Sequence, residues 1–199
     1  MVKFIENFLI KLLILRRFTF NIPIYTRIDK HCFVCYSCKQ AKGIVIMVSE
    51  IKFCLPVGEW GFLSPYAKYP IQMNVDGELY TFPSVEHYYQ AMKFYAADER
   101  FKTIINLKNP DEARLITKTP EYKINRRADF NKNKFDIMEK GMRAKFAQNP
   151  QAAQMLKATG NATLIKSCST CYKCGFGEGS GENRMGKILM KIRQELLNM

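Results

Sequence analysis

No apolar stretch in this chain is long enough to span a bilayer. The most apolar run, Phe4 to Leu15, is interrupted by Glu6 and Lys11 and falls short of the roughly 20 residues a transmembrane helix needs. It ends in Arg16-Arg17-Phe18 rather than in a small-residue cleavage site, which argues against a secretory signal. A long Lys/Arg run is also missing, so a nucleic-acid-binding arm is not indicated. No Gly-x-Gly-x-x-Gly follows a strand pattern, and neither a P-loop nor a Ser-His-Asp order is present. Acidic residues are scarce, 18 against 31 basic ones, for a net charge of +13 over 199 residues. That charge favours anionic partners: nucleic acid, phosphorylated ligands or an anionic surface. A phosphate-bearing small substrate suits the diffuse distribution equally well. We expect an intracellular, cytoplasmic protein with reduced thiols and no membrane partner. The oligomeric state is left open.

The length predicts one main domain, and 47% apolar residues suffice for a core. Residues 1–47 differ from the rest. They carry eight basic residues (Lys3, Lys11, Arg16, Arg17, Arg27, Lys30, Lys39, Lys42) against Glu6 and Asp29. We expect an extension there, with Met47 as a candidate functional start and the domain proper at 48–199. From Ile51 onward the pattern predicts a helix-rich α+β domain with a small β component. Ile51–Leu55, Ile71–Met73 and Glu78–Phe82 read as strands, the last two joined around Asp76-Gly77, a hairpin signal. Asn109-Pro110 starts a helix. A further helix is expected from Lys134 to Gln148, with Phe135, Met138, Met142 and Phe146 as its core stripe. A shorter helix follows from Pro150 to near Gly160, and the last runs from Met185 to Leu197.

Six of the seven cysteines form two C-x2-C-x2-C triplets: Cys32, Cys35, Cys38 and Cys168, Cys171, Cys174. Such turns can bind zinc, and His31 adjoins the first. The triplets lie too far apart for a zinc ribbon, so free thiols and no metal are expected, with cysteine-liganded zinc as the alternative. No cofactor is expected.

Pro83 to Phe94 (PSVEHYYQAMKF) is the most informative segment. Ser84 is the expected N-cap of a helix from Val85 to about Tyr95. Glu86, Gln90 and Lys93 then share one face. Such a pattern is most often a solvated face. Phe82, Tyr88, Tyr89, Phe94 and Tyr95 instead point to burial, where Glu and Lys are rare unless paired or functional. A carboxylate and a lysine in fixed register can act as an acid/base and nucleophile pair. Downstream, Gly175 to Asn183 places four of the eleven glycines at every second position ahead of the last helix. Such a loop can bring backbone N–H groups close to a ligand. Glu178 and Glu182 weaken a pure phosphate cradle and suit ribose hydroxyls instead.

In order along the chain, these pieces resemble the NADAR (NAD- and ADP-ribose-associated) family, which includes the YbiA-like N-glycosidases. The matching motifs are Gly58-Glu59-Trp60-Gly61-Phe62-Leu63-Ser64, the Pro83–Phe94 segment, Pro110-x-Glu112-Ala113, Arg127-Ala128-Asp129-Phe130, Lys134 with Met138, and Lys145-Phe146. Thr159-Gly160, Leu164, Gly175-x-Gly177, Gly181, Asn183, Gly186, Leu189-Met190 and Arg193 complete the set. The resemblance covers about Val48 to the C-terminus. It implies cleavage of the bond between ribose C1′ and a base-like amine, in a riboflavin-pathway ribosyl phosphate or in ADP-ribosyl-guanine, including ADP-ribosylated nucleic acid. It implies Glu86 and Lys93 as catalytic residues, Lys93 attacking C1′ to form a Schiff base. Ser64, Gln90, Arg127, Asp129, Phe130, Gly175, Gly177 and Asn183 are the implied substrate-binding residues, with Arg127 on phosphate and Phe130 stacked on the base. The chain departs from the family where Cys171 and Cys174 replace an Asp and a Trp, Pro65 an Asn, and Lys166 a Glu. Two alternatives therefore stand beside the glycosidase: a catalytically impaired ADP-ribose or nucleotide-binding module, and a zinc protein that binds nucleic acid.

Overall fold

A computed structural model describes residues 49–168, 172–177 and 179–199. The expectations for residues 1–47, the first cysteine triplet, Cys171 and Glu178 lie outside the described residues. These hold four strands and seven α-helices. The strands are β1 (Glu50–Phe53), β2 (Ile71–Val75), β3 (Glu78–Phe82) and β4 (Thr163–Lys166). The helices are α1 (Val85–Ala91), α2 (Glu99–Ile105), α3 (Pro110–Ile116), α4 (Pro120–Ile124), α5 (Phe130–Gln148), α6 (Pro150–Ala158) and α7 (Arg184–Leu197). This is the expected helix-rich α+β class. None of the helices is long and apolar enough to cross a membrane.

β2 and β3 form an antiparallel hairpin that closes on Asp76 and Gly77, Val75 pairing with Glu78. Both turn residues have positive φ (52° and 92°), the geometry that matches the twist of a two-residue hairpin and that glycine tolerates best. Asn74 Oδ1 accepts from the Gly77 N–H at 3.1 Å and braces the turn. β1 pairs in parallel with β4, Ile51 against Leu164 and Phe53 against Lys166. β1 ends at Phe53 rather than at the expected Leu55.

α7 packs tightly on β4. A Cβ at Gly186 would collide with the Leu164 carbonyl oxygen. Asn183, in the left-handed region with φ 49°, donates from Nδ2 to Leu164 O at 2.8 Å and accepts from Lys166 N–H at 3.1 Å. Its amide therefore extends the edge of β4.

The core is aromatic. Phe82 meets Tyr88 at 5.2 Å and Phe101 at 5.9 Å, and Phe94 meets Tyr122 at 5.6 Å, all edge-to-face, the arrangement favoured by the ring quadrupoles. Lys145 is fully buried, its Nζ 4.8 Å from the Tyr69 ring centroid and 5.4 Å from that of Phe146. Its Nζ donates to Phe62 O at 2.5 Å and Ser64 O at 2.9 Å, which pins the 3-10 turn Gly61–Leu63 against α5.

Two helices differ from expectation. α1 ends at Ala91 instead of Tyr95. There the chain tightens, Lys93 N–H bonding Gln90 O at 3.3 Å and Phe94 N–H bonding Ala91 O at 2.9 Å, which lets Phe94 turn into the core. α5 begins at Phe130, one turn before Lys134. Its stripe is only half core: Met142 and Phe146 are buried, but Phe135 and Met138 face a cavity.

Candidate functional site

α1 is placed by its own cap. Ser84 Oγ accepts from the His87 N–H at 3.4 Å, as an N-cap hydroxyl does. The Glu86 N–H donates to Pro65 O at 3.0 Å, which joins α1 to the loop that Lys145 pins. Glu86 and Gln90 lie one turn apart on this helix, and Gln90 Nε2 donates to Glu86 Oε1 at 2.5 Å. Thr117, just after α3, donates to Gln90 Oε1 at 2.7 Å and accepts from Lys93 Nζ at 2.9 Å. A continuous chain of hydrogen bonds thus runs from Lys93 through Thr117 and Gln90 to Glu86.

Burial tunes both ends of this chain. Glu86 is 5% exposed. Its carboxyl is raised above the ordinary carboxylate range by desolvation, against the opposing pulls of Gln90, Lys166, Lys93 and the Tyr66 hydroxyl. Lys93 is pulled down to about 8 by burial, reinforced by Arg126 and Lys118 and opposed by Glu86. Burial thus favours the protonated carboxyl and the neutral amine, the forms that acid and nucleophilic catalysis respectively require.

Glu86, Gln90 and Tyr66 line a cavity of about 420 Å³. Four cations line it too: Arg114, Lys134, Lys166 and Arg184, against the carboxylates Glu86 and Asp111. Arg114 faces Asp111 across 3.8 Å, and both line the cavity. Arg184 pairs with Glu182 and lies 4.0 Å from the Phe135 ring centroid. Tyr89, Phe135, Met138 and Ile188 supply apolar wall, and Cys54, Cys168 and Cys174 complete it near β1 and the glycine loop. Among the described residues, no three of His, Cys, Asp or Glu stand together as a metal cage.

The structure brings only some of the expected residues to this cavity. Glu86 and Gln90 line it. Lys93 does not, and connects to it through Thr117 and Gln90. Phe130 is buried beside Lys93, its ring centroid 5.8 Å from Nζ, and packs edge-on to Tyr89. Arg127 and Asp129 lie outside the lining. They form a bidentate ion pair at 2.6 and 2.7 Å, with Arg127 over the Tyr95 ring at 4.8 Å. Ser64 is buried, its carbonyl held by Lys145 and its hydroxyl accepting from Tyr66 N–H at 3.3 Å. Gly175, Gly177 and Asn183 shape the loop under α7 but do not line the cavity. Sequence reasoning missed Tyr66, Arg114, Thr117 and Arg184. Arg114 follows the Pro110-x-Glu112-Ala113 motif directly, and the surplus of basic residues was the available signal.

The arrangement is that of a small α+β domain with a cavity lined by four cationic and two acidic side chains, one of them the buried Glu86 carboxyl. Residues 53–197 match the NADAR domain. The chain is 34% identical over 154 residues to the N-glycosidase YbiA of Shigella boydii serotype 4, covering 76% of this chain and 91% of that one. It is 36% identical over 165 residues to a riboflavin biosynthesis protein of Vibrio vulnificus, covering 82% of this chain and 43% of that one. To the chloroplastic riboflavin biosynthesis protein PYRR of Zea mays it is 34% identical over 150 residues, covering 69% and 24%. It thus spans less than half the length of these two riboflavin proteins. The NMR structure of Escherichia coli YbiA superposes with a TM-score of 0.65 at 31% identity, covering 77% of this chain and 88% of that one. The chain belongs to the NADAR family.

Proposed function

We infer that the protein is an N-glycosidase, a hydrolase of N-glycosyl compounds, acting on a phosphorylated ribosyl or ADP-ribosyl substrate. The observation that carries this is the buried Glu86 carboxyl on the wall of a cavity lined by four cations, linked to the lowered amine of Lys93. The near full-length likeness to the YbiA N-glycosidases supports the reaction class. The cations support phosphoryl groups on the substrate: Arg114 lines the cavity beside Glu86, and Lys166 acts on the Glu86 charge.

In this reading Glu86 gives its proton to the leaving nitrogen as the C1′–N bond breaks. Neutral Lys93, released from Thr117, bonds C1′. The adduct nitrogen gives a proton to the Glu86 carboxylate. Its lone pair then breaks the C1′–O4′ bond as Glu86 returns that proton to O4′, and the opened sugar is held as a protonated Schiff base. Water adds at C1′ and the C1′–Nζ bond breaks. The released proton restores the Glu86 carboxyl as the sugar phosphate and the neutral amine separate. Phe135 and Tyr89 offer ring faces for the base. Arg127, tied to Asp129, leaves phosphate binding to the cavity cations.

The test is to incubate the purified protein separately with the ribosylaminouracil phosphate of the riboflavin pathway and with ADP-ribosylated guanine DNA, and to follow base and sugar phosphate by mass spectrometry. Release from either substrate, lost in Lys93→Ala, supports the glycosidase and names its substrate. Binding of ADP-ribose without release from either supports instead a pocket that holds its ligand without turnover, a reading favoured by Cys174 on the wall where the family carries tryptophan.

A further inference from the structure

We propose that Thr117 is a positioning residue: its hydroxyl docks the Lys93 amine outside the cavity and, through the same oxygen, sets the Gln90 amide against Glu86. The inference rests on the glycosidase reading for its catalytic consequence, but its geometry stands by itself. Thr117 is fully buried. Its Oγ1 accepts from Lys93 Nζ at 2.9 Å, and the hydroxyl hydrogen has two acceptors in range, Gln90 Oε1 at 2.7 Å and Arg114 O at 3.1 Å. The closer contact takes the hydrogen. Gln90 Oε1 then faces Thr117, and Gln90 Nε2 is left to donate to Glu86.

One hydroxyl thereby governs both members of the pair. While Lys93 is an ammonium ion it donates to Thr117, and every donor in the chain points toward Glu86. Once neutral, the amine can leave, and Thr117 still holds Gln90. The charged groups facing Lys93 are Arg126 ahead of α5, Lys118 after α3, and Glu86 on α1, with the Phe130 ring of α5 beside it. The two cations disfavour the ammonium form, and the Thr117 oxygen favours it. Removing that oxygen therefore moves the Lys93 titration to lower pH.

The test compares the parent protein with Thr117→Val and Thr117→Ser. Lys93 is titrated by NMR of 13C-labelled lysine, with its signal assigned by Lys93→Arg. Turnover is measured on whichever substrate is cleaved. Loss of one hydrogen bond to a charged group predicts a Lys93 midpoint lower by about one pH unit in Thr117→Val. Loss of the bond that orients the Gln90 amide toward Glu86 outweighs the gain in neutral amine and predicts a kcat about tenfold lower, with KM less affected. Thr117→Ser, which keeps the oxygen, restores both. If Thr117→Val melts below the assay temperature, Thr117→Ala carries the same comparison. A folded, hydroxyl-free variant with the parent's Lys93 titration overturns the proposal, as does a folded Thr117→Ser that titrates like Thr117→Val. Turnover retained in Lys93→Ala would sink the glycosidase roles instead, and the titration would still decide on Thr117.

Discussion

Lys145→Met should destabilise the protein by an amount that grows with pH. Lys145 is fully buried, and its Nζ serves Phe62 O and Ser64 O. Burial pulls its amine down to about 7. A neutral amine still has two N–H groups, enough for both carbonyls, so above pH 7 the folded state keeps its hydrogen bonds without a buried charge. In the unfolded chain the same group titrates near 10.4. Between these values the unfolded state binds more protons, so this group's contribution to stability rises with pH. From pH 6 to pH 9 the gain is about 2.5 kcal/mol. Methionine keeps the length and volume but strands two buried carbonyls, at about 1–3 kcal/mol each. At pH 6 the parent's own desolvation cost offsets part of that loss. At pH 9 it does not. Thermal melts across pH 6–9 check this, at roughly 2–4 °C per kcal/mol for a domain of this size. Taking the difference between the two proteins removes the other titrating groups. Parallel pH profiles for parent and variant, or a variant that gains on the parent as pH rises, would refute the reasoning.

Glu86→Gln should lower turnover by about 10²–10⁴-fold while leaving the melting temperature at pH 8 unchanged or higher. The raised carboxyl contributes stability at low pH that is lost as pH rises; a lower melting temperature at pH 8 would contradict its burial. Arg114→Ala should raise KM about tenfold or more with a smaller effect on kcat, since its guanidinium lines the cavity where a phosphoryl group would bind; steady-state kinetics decide it. Gly186→Ala forces a Cβ onto the Leu164 carbonyl and should separate α7 from β4 at a cost of about 2 kcal/mol or more, read from denaturant melts.

What was legible in the sequence was what short-range chemistry dictates. Ser84 before Val-Glu-His announced its helix, and Asp76-Gly77 its hairpin, because both signals act within four residues. β4 was not legible. Its four residues gain their partners from β1, more than a hundred positions away, and carry no local mark. The end of α1 was misjudged because the need of Phe94 to reach Tyr122 overrides helical propensity in a tertiary contact. Of the apolar stripe expected as core on α5, only Met142 and Phe146 are buried, because helical spacing cannot distinguish a packed core from the cavity wall that Phe135 and Met138 form. Arg127 looked like a phosphate ligand by type, yet Asp129 two residues on occupies its guanidinium. Glu86 and Gln90 were found by helical register. Thr117, which joins them to Lys93, comes from a separate helix end and had no sequence signal.

If the reading is right, Lys93 becomes the covalent carrier of the sugar. The direct measurement is to mix protein and substrate, reduce with borohydride, and map the modified peptide by mass spectrometry. The expected result is a sugar-phosphate adduct on Lys93 that is absent without reductant and less abundant in Thr117→Val. An adduct on another lysine, or efficient base release with no trapped sugar, would contradict it.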